Sequence, residues 1–140
     1  IAELFESNIY TFSYLAKGIK KRNRNIHLPI LGSLLYKKQN ELSRKLRGCN
    51  LSYWKSDFIT VNGYNENFIG WGREDSELIV RMMNNGVLGK RMKFKALIYH
   101  IWHNEKSREK LNVNHSIQEQ AIKEKKVWCN NGIDKYLSEK

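Results

Sequence analysis

A chain of 140 residues with 41% apolar residues is one domain's worth of polypeptide or less, with material for one modest core. Its formal net charge of +11 attracts polyanions, so the partner classes it suggests are nucleic acid, an anionic membrane surface and diphosphate-bearing ligands. No apolar run approaches the roughly 20 residues of a membrane-spanning helix, and the first residues lack a signal-peptide pattern. Cys49 and Cys129 are far apart in sequence and form no Cys-x-x-Cys pair, which argues against a zinc ribbon or disulfide framework. These features lead us to expect a soluble protein of the reducing cytoplasm, and the initial Ile1 suggests a fragment of a longer chain. The sequons at Asn50 and Asn114 are then chance matches, because glycosylation needs a secretory context.

In chain order, Phe5, Ile9, Phe12, Ala16 and Ile19 recur at three- and four-residue steps and predict an amphipathic helix. Its polar side carries Glu3, Glu6, Ser7 and Asn8, which favours packing over membrane binding. Pro29 predicts a break and a loop over 26–36. Basic clusters at 17–24, 37–47 and 90–95 read as solvated faces. The functional alternative for them is the cytoplasmic face of a membrane, where each basic residue adds roughly 1 kcal/mol. Residues 46–53 read as a short strand and 54–59 as a following helical turn. Asn50 lies in that strand and reads as a buried structural amide. Asn62-Gly63 marks a turn within 61–67.

The densest stretch is 65–75, containing Gly70, Trp71, Gly72, Arg73, Glu74 and Asp75. The glycines free the backbone so that the Trp71 indole can stand clear as a flat apolar wall. Leu78, Ile79, Met82 and Met83 share one helical face, and Asn85-Gly86 is a stop, so Glu74 and Asp75 open a helix. The positive end of that helix favours an ionised carboxylate, as a general base requires. Residues 93–103 are nearly continuously apolar and read as a buried strand. Its alternation puts His100 and His103 on opposite faces. Residues 104–114 read as a polar loop, Ser116-x-x-Glu119 as a capping box opening a helix, and Gly132 as its end.

The Trp-Gly-x-Glu-Asp string of residues 71–75, with the 47–54, 61–68 and 99–103 stretches, resembles glycosyltransferases of the GT-A fold. The kinship is with family 2 bacterial enzymes, chondroitin polymerase and the C-terminal part of the β-1,4-galactosyltransferases. The resemblance implies an α/β fold, the C-terminal half of a GT-A domain, incomplete without the N-terminal nucleotide-binding half. It divides the chain into a helix and basic connector (1–45), a catalytic and acceptor-side segment (46–107) and a C-terminal loop and helix (108–140).

The implied activity is transfer of a sugar, with inversion, from a nucleotide-sugar donor to a glycan or lipid-linked acceptor in bacterial surface polysaccharide or lipopolysaccharide synthesis. Asp75 would act as base, with Glu74 beside it. Trp71, Gly70, Gly72, Arg73 and Asn50 would bind substrate. His100, with His103 in reserve, would hold a divalent metal, manganese or magnesium. Related enzymes commonly carry Asp where this chain has Asn65, and it contains no Asp-x-Asp to complete a metal site. The implied setting is cytoplasmic, with peripheral contact at the inner membrane face. The missing half, in the same polypeptide or a partner, would be needed for full activity. A non-catalytic glycan-binding relative is the first alternative. A nucleic-acid-binding module is the second, but no RNP, KH or zinc-finger pattern supports it, so no nucleic-acid partner is expected.

Overall fold

The computed structural model describes residues 27–43, 46, 48–98, 100, 103–104 and 107–137. The expected amphipathic helix over 4–19 and the basic cluster at 17–24 lie outside them. The chain divides into two compact units, one of 1–37 with 90–99, the other of 38–89 with 100–140.

In the first unit, α1 (Pro29–Leu34) stands where a loop was expected. Pro29 begins the helix at a position where its fixed φ is already suitable and its missing N–H would go unused. Ser33 Oγ donates to Pro29 O at 3.0 Å, and Leu28 N donates to Phe94 O at 3.1 Å. Gly32 is buried against the Lys93 backbone, an approach that only glycine permits, since a Cβ there would lie 2.3 Å from Lys93 O. The strand expected over 93–103 is absent from the described residues of that segment. Phe94 has φ +57, which breaks an extended backbone, and Ile98 is 52% exposed rather than buried. The extended structure comes earlier, in β2 (Gly89–Arg91), which pairs with β1 (Lys37–Gln39) as a two-stranded sheet.

The second unit is built on α2 (Lys55–Thr60), α3 (Glu74–Asn84), α4 (Leu111–Lys123) and α5 (Asp134–Leu137). α3 packs against α4. The core is Val61, Leu78 and Met82, with Phe58, Tyr64, Ile79, Val87 and Val127 against it. The expected α2 turn and the opening of α3 at Glu74 are both found. No strand forms over 46–53 among the described residues; a 3-10 turn occupies Gly48–Asn50 instead.

Three helices of this unit end in one hydrogen-bonding pattern. After α3, Gly86 takes φ +85, Gly86 N bonds Met83 O at 2.9 Å, and Val87 N reaches back to Met82 O at 3.0 Å. This double closure satisfies carbonyls that the last helical turn leaves open, and it folds Val87 onto the core. α2 closes the same way through Asn62 at φ +64, and α4 through Lys125 at φ +49. The stop at Lys125 corrects the expectation that Gly132 ends that helix. A left-handed lysine carries no compositional signal, and Lys126 N bonds Ala121 O at 3.0 Å to hold it. The start of α4 is also earlier than expected. Ser116 lies inside the helix and donates to Asn112 O at 3.1 Å rather than capping.

A buried ion pair ties α3 to the turn after α2. Arg81 is 0% exposed and Glu77 2%. Arg81 Nε and Nη2 bond the Glu77 carboxylate at 2.8 and 3.0 Å, Nη2 also bonds Gly63 O at 2.6 Å, and Nη1 bonds Val61 O. Asn62 continues the knot, donating to Cys129 O and Asp134 Oδ1 and accepting from Asp134 N, each at 2.8 Å.

Candidate active site at the opening of the third helix

The loop that precedes α3 is shaped by close packing. Gly70 has φ +80, and a Cβ there would lie 2.8 Å from Ser107 O, the carbonyl that accepts from Trp71 N at 3.1 Å. Gly72 has φ +103, with Leu111 Cδ1 2.9 Å from where its Cβ would be. Asn114, 1% exposed on α4, pins the loop from below by donating to Ile69 O at 3.1 Å and Gly72 O at 3.0 Å. With its amide protons committed and its side chain buried, Asn114 is a structural residue rather than an attachment point for a glycan.

The pinned loop presents Trp71 at the surface, 39% exposed, with the Arg108 guanidinium 4.4 Å from its ring centroid. That distance is within the range of a cation–π contact. Arg73 follows in the left-handed region at φ +79, and its carbonyl accepts from Glu77 N at 2.8 Å and Ser76 Oγ at 3.0 Å. The turn at Arg73 starts the helix without a side-chain cap, so Glu74, Asp75 and Glu77 supply the negative charge that its first turn favours.

The two carboxylates of the pair have different surroundings. Glu74 Oε2 is buried and has no hydrogen-bond partner, a costly state for a carboxylate oxygen unless a donor reaches it. Asp75 Oδ1 accepts from the Tyr64 hydroxyl at 2.9 Å. Asp75 Oδ2 lies against Gly48, where an added Cβ would be 1.7 Å away. Tyr64 is itself set edge-on to Phe58, ring centroids 5.8 Å apart, and Tyr53 stacks on Phe58 at 5.2 Å. Burial, then the hydrogen bond to Asp75, push the Tyr64 hydroxyl far above its ordinary range, so it remains a donor.

The fold therefore brings Trp71, Glu74 and Asp75 together with the 3-10 turn that holds Asn50. Asn50 is exposed, which overturns the reading of it as a buried amide and leaves its side chain at the surface. His100 and His103 are both exposed, and their rings meet edge to face with centroids 5.2 Å apart. The expectation that they point to opposite faces fails because the regular strand it assumed is not there. His103 Nδ1 donates to Asn104 O at 2.9 Å, so Nε2 is the only ring nitrogen left to face a ligand. Among the described residues no group of three His, Cys, Asp or Glu side chains is placed to hold a metal ion. Two imidazoles alone do not suit manganese or magnesium, which favour oxygen ligands.

Sequence reasoning missed Tyr64, Gly48 and Asn114. Tyr64 lies in a turn, Gly48 in a stretch with the composition of a strand, and Asn114 at the end of a polar run, so local pattern marks none of them. Glu77 and Arg81 carried one usable signal, the four-residue spacing that lets opposite charges pair along α3.

A family profile described as the N-terminal domain of galactosyltransferase matches residues 34–104, just over half of the chain, and the chain belongs to this family. It is similar to human chondroitin sulfate N-acetylgalactosaminyltransferase 2 at 26% identity over 100 residues, covering 71% of this chain and 18% of that protein. It is similar to human chondroitin sulfate N-acetylgalactosaminyltransferase 1 at 26% identity, over 71% of this chain and 19% of that protein. The mouse form of the second enzyme matches at 25% identity over the same shares, 71% and 19%. The chain thus spans less than a fifth of the length of these curated relatives. No solved structure matches it at comparable stringency.

Proposed function

We propose that the chain carries the catalytic and acceptor-side part of a glycosyltransferase, the C-terminal half of a GT-A domain. It would move a hexosyl or N-acetylhexosaminyl group from a nucleotide-sugar donor to a hydroxyl of a glycan or lipid-linked acceptor. The observation that carries this reading is the junction of loop and α3, where an exposed indole, a buried carboxylate oxygen lacking a donor and a second, oriented carboxylate adjoin. Family membership and the names of the relatives support the reaction class. The relatives are animal enzymes, so a bacterial surface-polysaccharide or lipopolysaccharide acceptor rests on the motif alone.

Trp71 stacks on the apolar face of an acceptor sugar, and Glu74 Oε2 accepts from one of its hydroxyls. Asp75 takes the proton of the attacking hydroxyl as its oxygen bonds the anomeric carbon from the side opposite the leaving group. The bond from that carbon to the diphosphate oxygen breaks, and the nucleoside diphosphate leaves with the electron pair. Configuration at the anomeric carbon inverts. Arg73 and Asn50, both at the surface, would add further acceptor contacts. The nucleotide is gripped by another part of the polypeptide or by a partner. His100 and His103 contribute to a divalent metal only if oxygen ligands come from there as well, in which case the metal would offset charge on the leaving diphosphate.

The test is a transfer screen of nucleotide sugars against glycan acceptors, using the polypeptide that unites this chain with its nucleotide-binding half. Trp71→Ala should raise the acceptor KM and leave the donor KM unchanged. Saturable glycan binding without turnover on any donor would assign the chain to a non-catalytic relative instead.

A further inference from the structure

We infer that Tyr64 and Gly48 are positioning residues that together hold the Asp75 carboxylate in the orientation needed to take the acceptor proton. This rests on the proposed transferase reading. Tyr64 Oη donates to Asp75 Oδ1 at 2.9 Å, while the space beside Oδ2 exists only because residue 48 has no side chain. One oxygen is thereby fixed by a hydrogen bond and the other by a steric boundary, so the carboxyl plane cannot rotate freely.

The support behind Tyr64 is layered. Its ring meets Phe58 edge-on, and Phe58 in turn stacks on Tyr53. Gly48 is not in the left-handed region, so an alanine there meets no backbone strain and acts through its contact with Asp75. A carboxylate held on both sides is preorganised, and displacement of a reacting group by about 1 Å costs roughly 100-fold in rate.

The experiment has two arms. In this chain, the side-chain carboxyl carbon resonance of Asp75 is followed by NMR at neutral pH in Tyr64→Phe, with Tyr136→Phe as control. The phenylalanine keeps the ring packing and deletes only the hydroxyl. In the transferase that carries the chain, kcat and KM are measured for Tyr64→Phe, Gly48→Ala, Asp75→Asn and the pairs of each with Asp75→Asn.

The expected result is that the Asp75 resonance moves in Tyr64→Phe and stays in Tyr136→Phe. Tyr64→Phe and Gly48→Ala each lower kcat roughly 10- to 100-fold with both KM values within about twofold. In the Asp75→Asn background neither should cost anything further, because both act through that one group. A residue that only supports folding would lower kcat equally in both backgrounds, and that result overturns the proposal. An unmoved Asp75 resonance also overturns it, whatever the fate of the transferase reading. If the resonance moves but Asp75→Asn retains full turnover, the reading of Asp75 as base falls, and the positioning role falls with it.

Discussion

Arg81→Met should be the most damaging single change in the described core that leaves the candidate site untouched. Arg81 and Glu77 are 0% and 2% exposed, and the guanidinium serves both Glu77 oxygens and the carbonyls of Val61 and Gly63. Methionine fills much of the same volume but leaves a buried carboxylate without its counter-charge. Breaking a buried pair from one side costs about 3–5 kcal/mol. Domains of this size are stable by about 5–15 kcal/mol, so a large part of the total is at stake. Urea denaturation of this chain, followed by circular dichroism, measures the loss.

The double variant Glu77→Leu with Arg81→Met removes the orphaned charge and should recover part of that loss. The Val61 and Gly63 carbonyls lose their donor in both variants, so the difference between the two reports the orphaned charge of Glu77. A single-variant loss below about 1 kcal/mol, or a double variant no better than the single, would refute this account of the pair.

Three further outcomes are expected. The Tyr64 hydroxyl is held protonated in the fold, so the stability it confers is complete below its unfolded value of about 10 and declines as pH rises beyond it. Denaturation midpoints between about pH 8 and about pH 11 should therefore fall in the wild type and fall less steeply in Tyr64→Phe. Cys129 is buried among the carbonyls of Val61, Asn62 and Gly63, with burial raising its thiol pKa, whereas Cys49 is exposed. Alkylation followed by mass spectrometry should label Cys49 in the native chain and Cys129 only with denaturant; equal rates would contradict the packing. Gly86→Ala, at φ +85 with open space around its Cβ, should cost only the left-handed strain of roughly 1–2 kcal/mol. Gly63→Ala should cost more by thermal melting, since its Cβ would lie 2.5 Å from Ile133 Cγ2 and 2.9 Å from the Phe58 ring.

What the sequence made legible was the local chemistry of short, strongly marked stretches. The 70–75 string, the helix it opens and the Asn85-Gly86 stop are all where residue types alone put them. The α2 turn and the Asn62-Gly63 bend are too. The readings that failed depended on partners the local pattern does not contain. Residues 46–53 and 93–103 have the composition of strands, but extended structure needs a neighbour to pair with, and the described ribbon forms at β1 and β2 instead. Proline usually breaks a helix, yet at the first position of α1 Pro29 favours it. The wider architecture implied by the GT-A resemblance depends on elements that the described residues do not contain.

Within the site, Trp71, Glu74 and Asp75 were legible because they are contiguous. Tyr64, Gly48 and Asn114 were not, because each acts across 11 to 45 residues of chain, or, for Gly48, by having no side chain. Lys125 shows the same limit, since its left-handed turn is held by the Lys126 N bond to Ala121 O and by Asn84 donating to Lys126 O rather than by its own preference.

The central claim is that Asp75 removes the acceptor proton in a sugar transfer. Single-turnover transfer by the polypeptide that carries this chain, compared between wild type and Asp75→Asn at saturating donor and acceptor, tests it most directly. The account predicts a rate lower by about 100- to 10,000-fold with acceptor affinity changed only a few-fold, as removal of a general base requires. A rate within about twofold of wild type would contradict it.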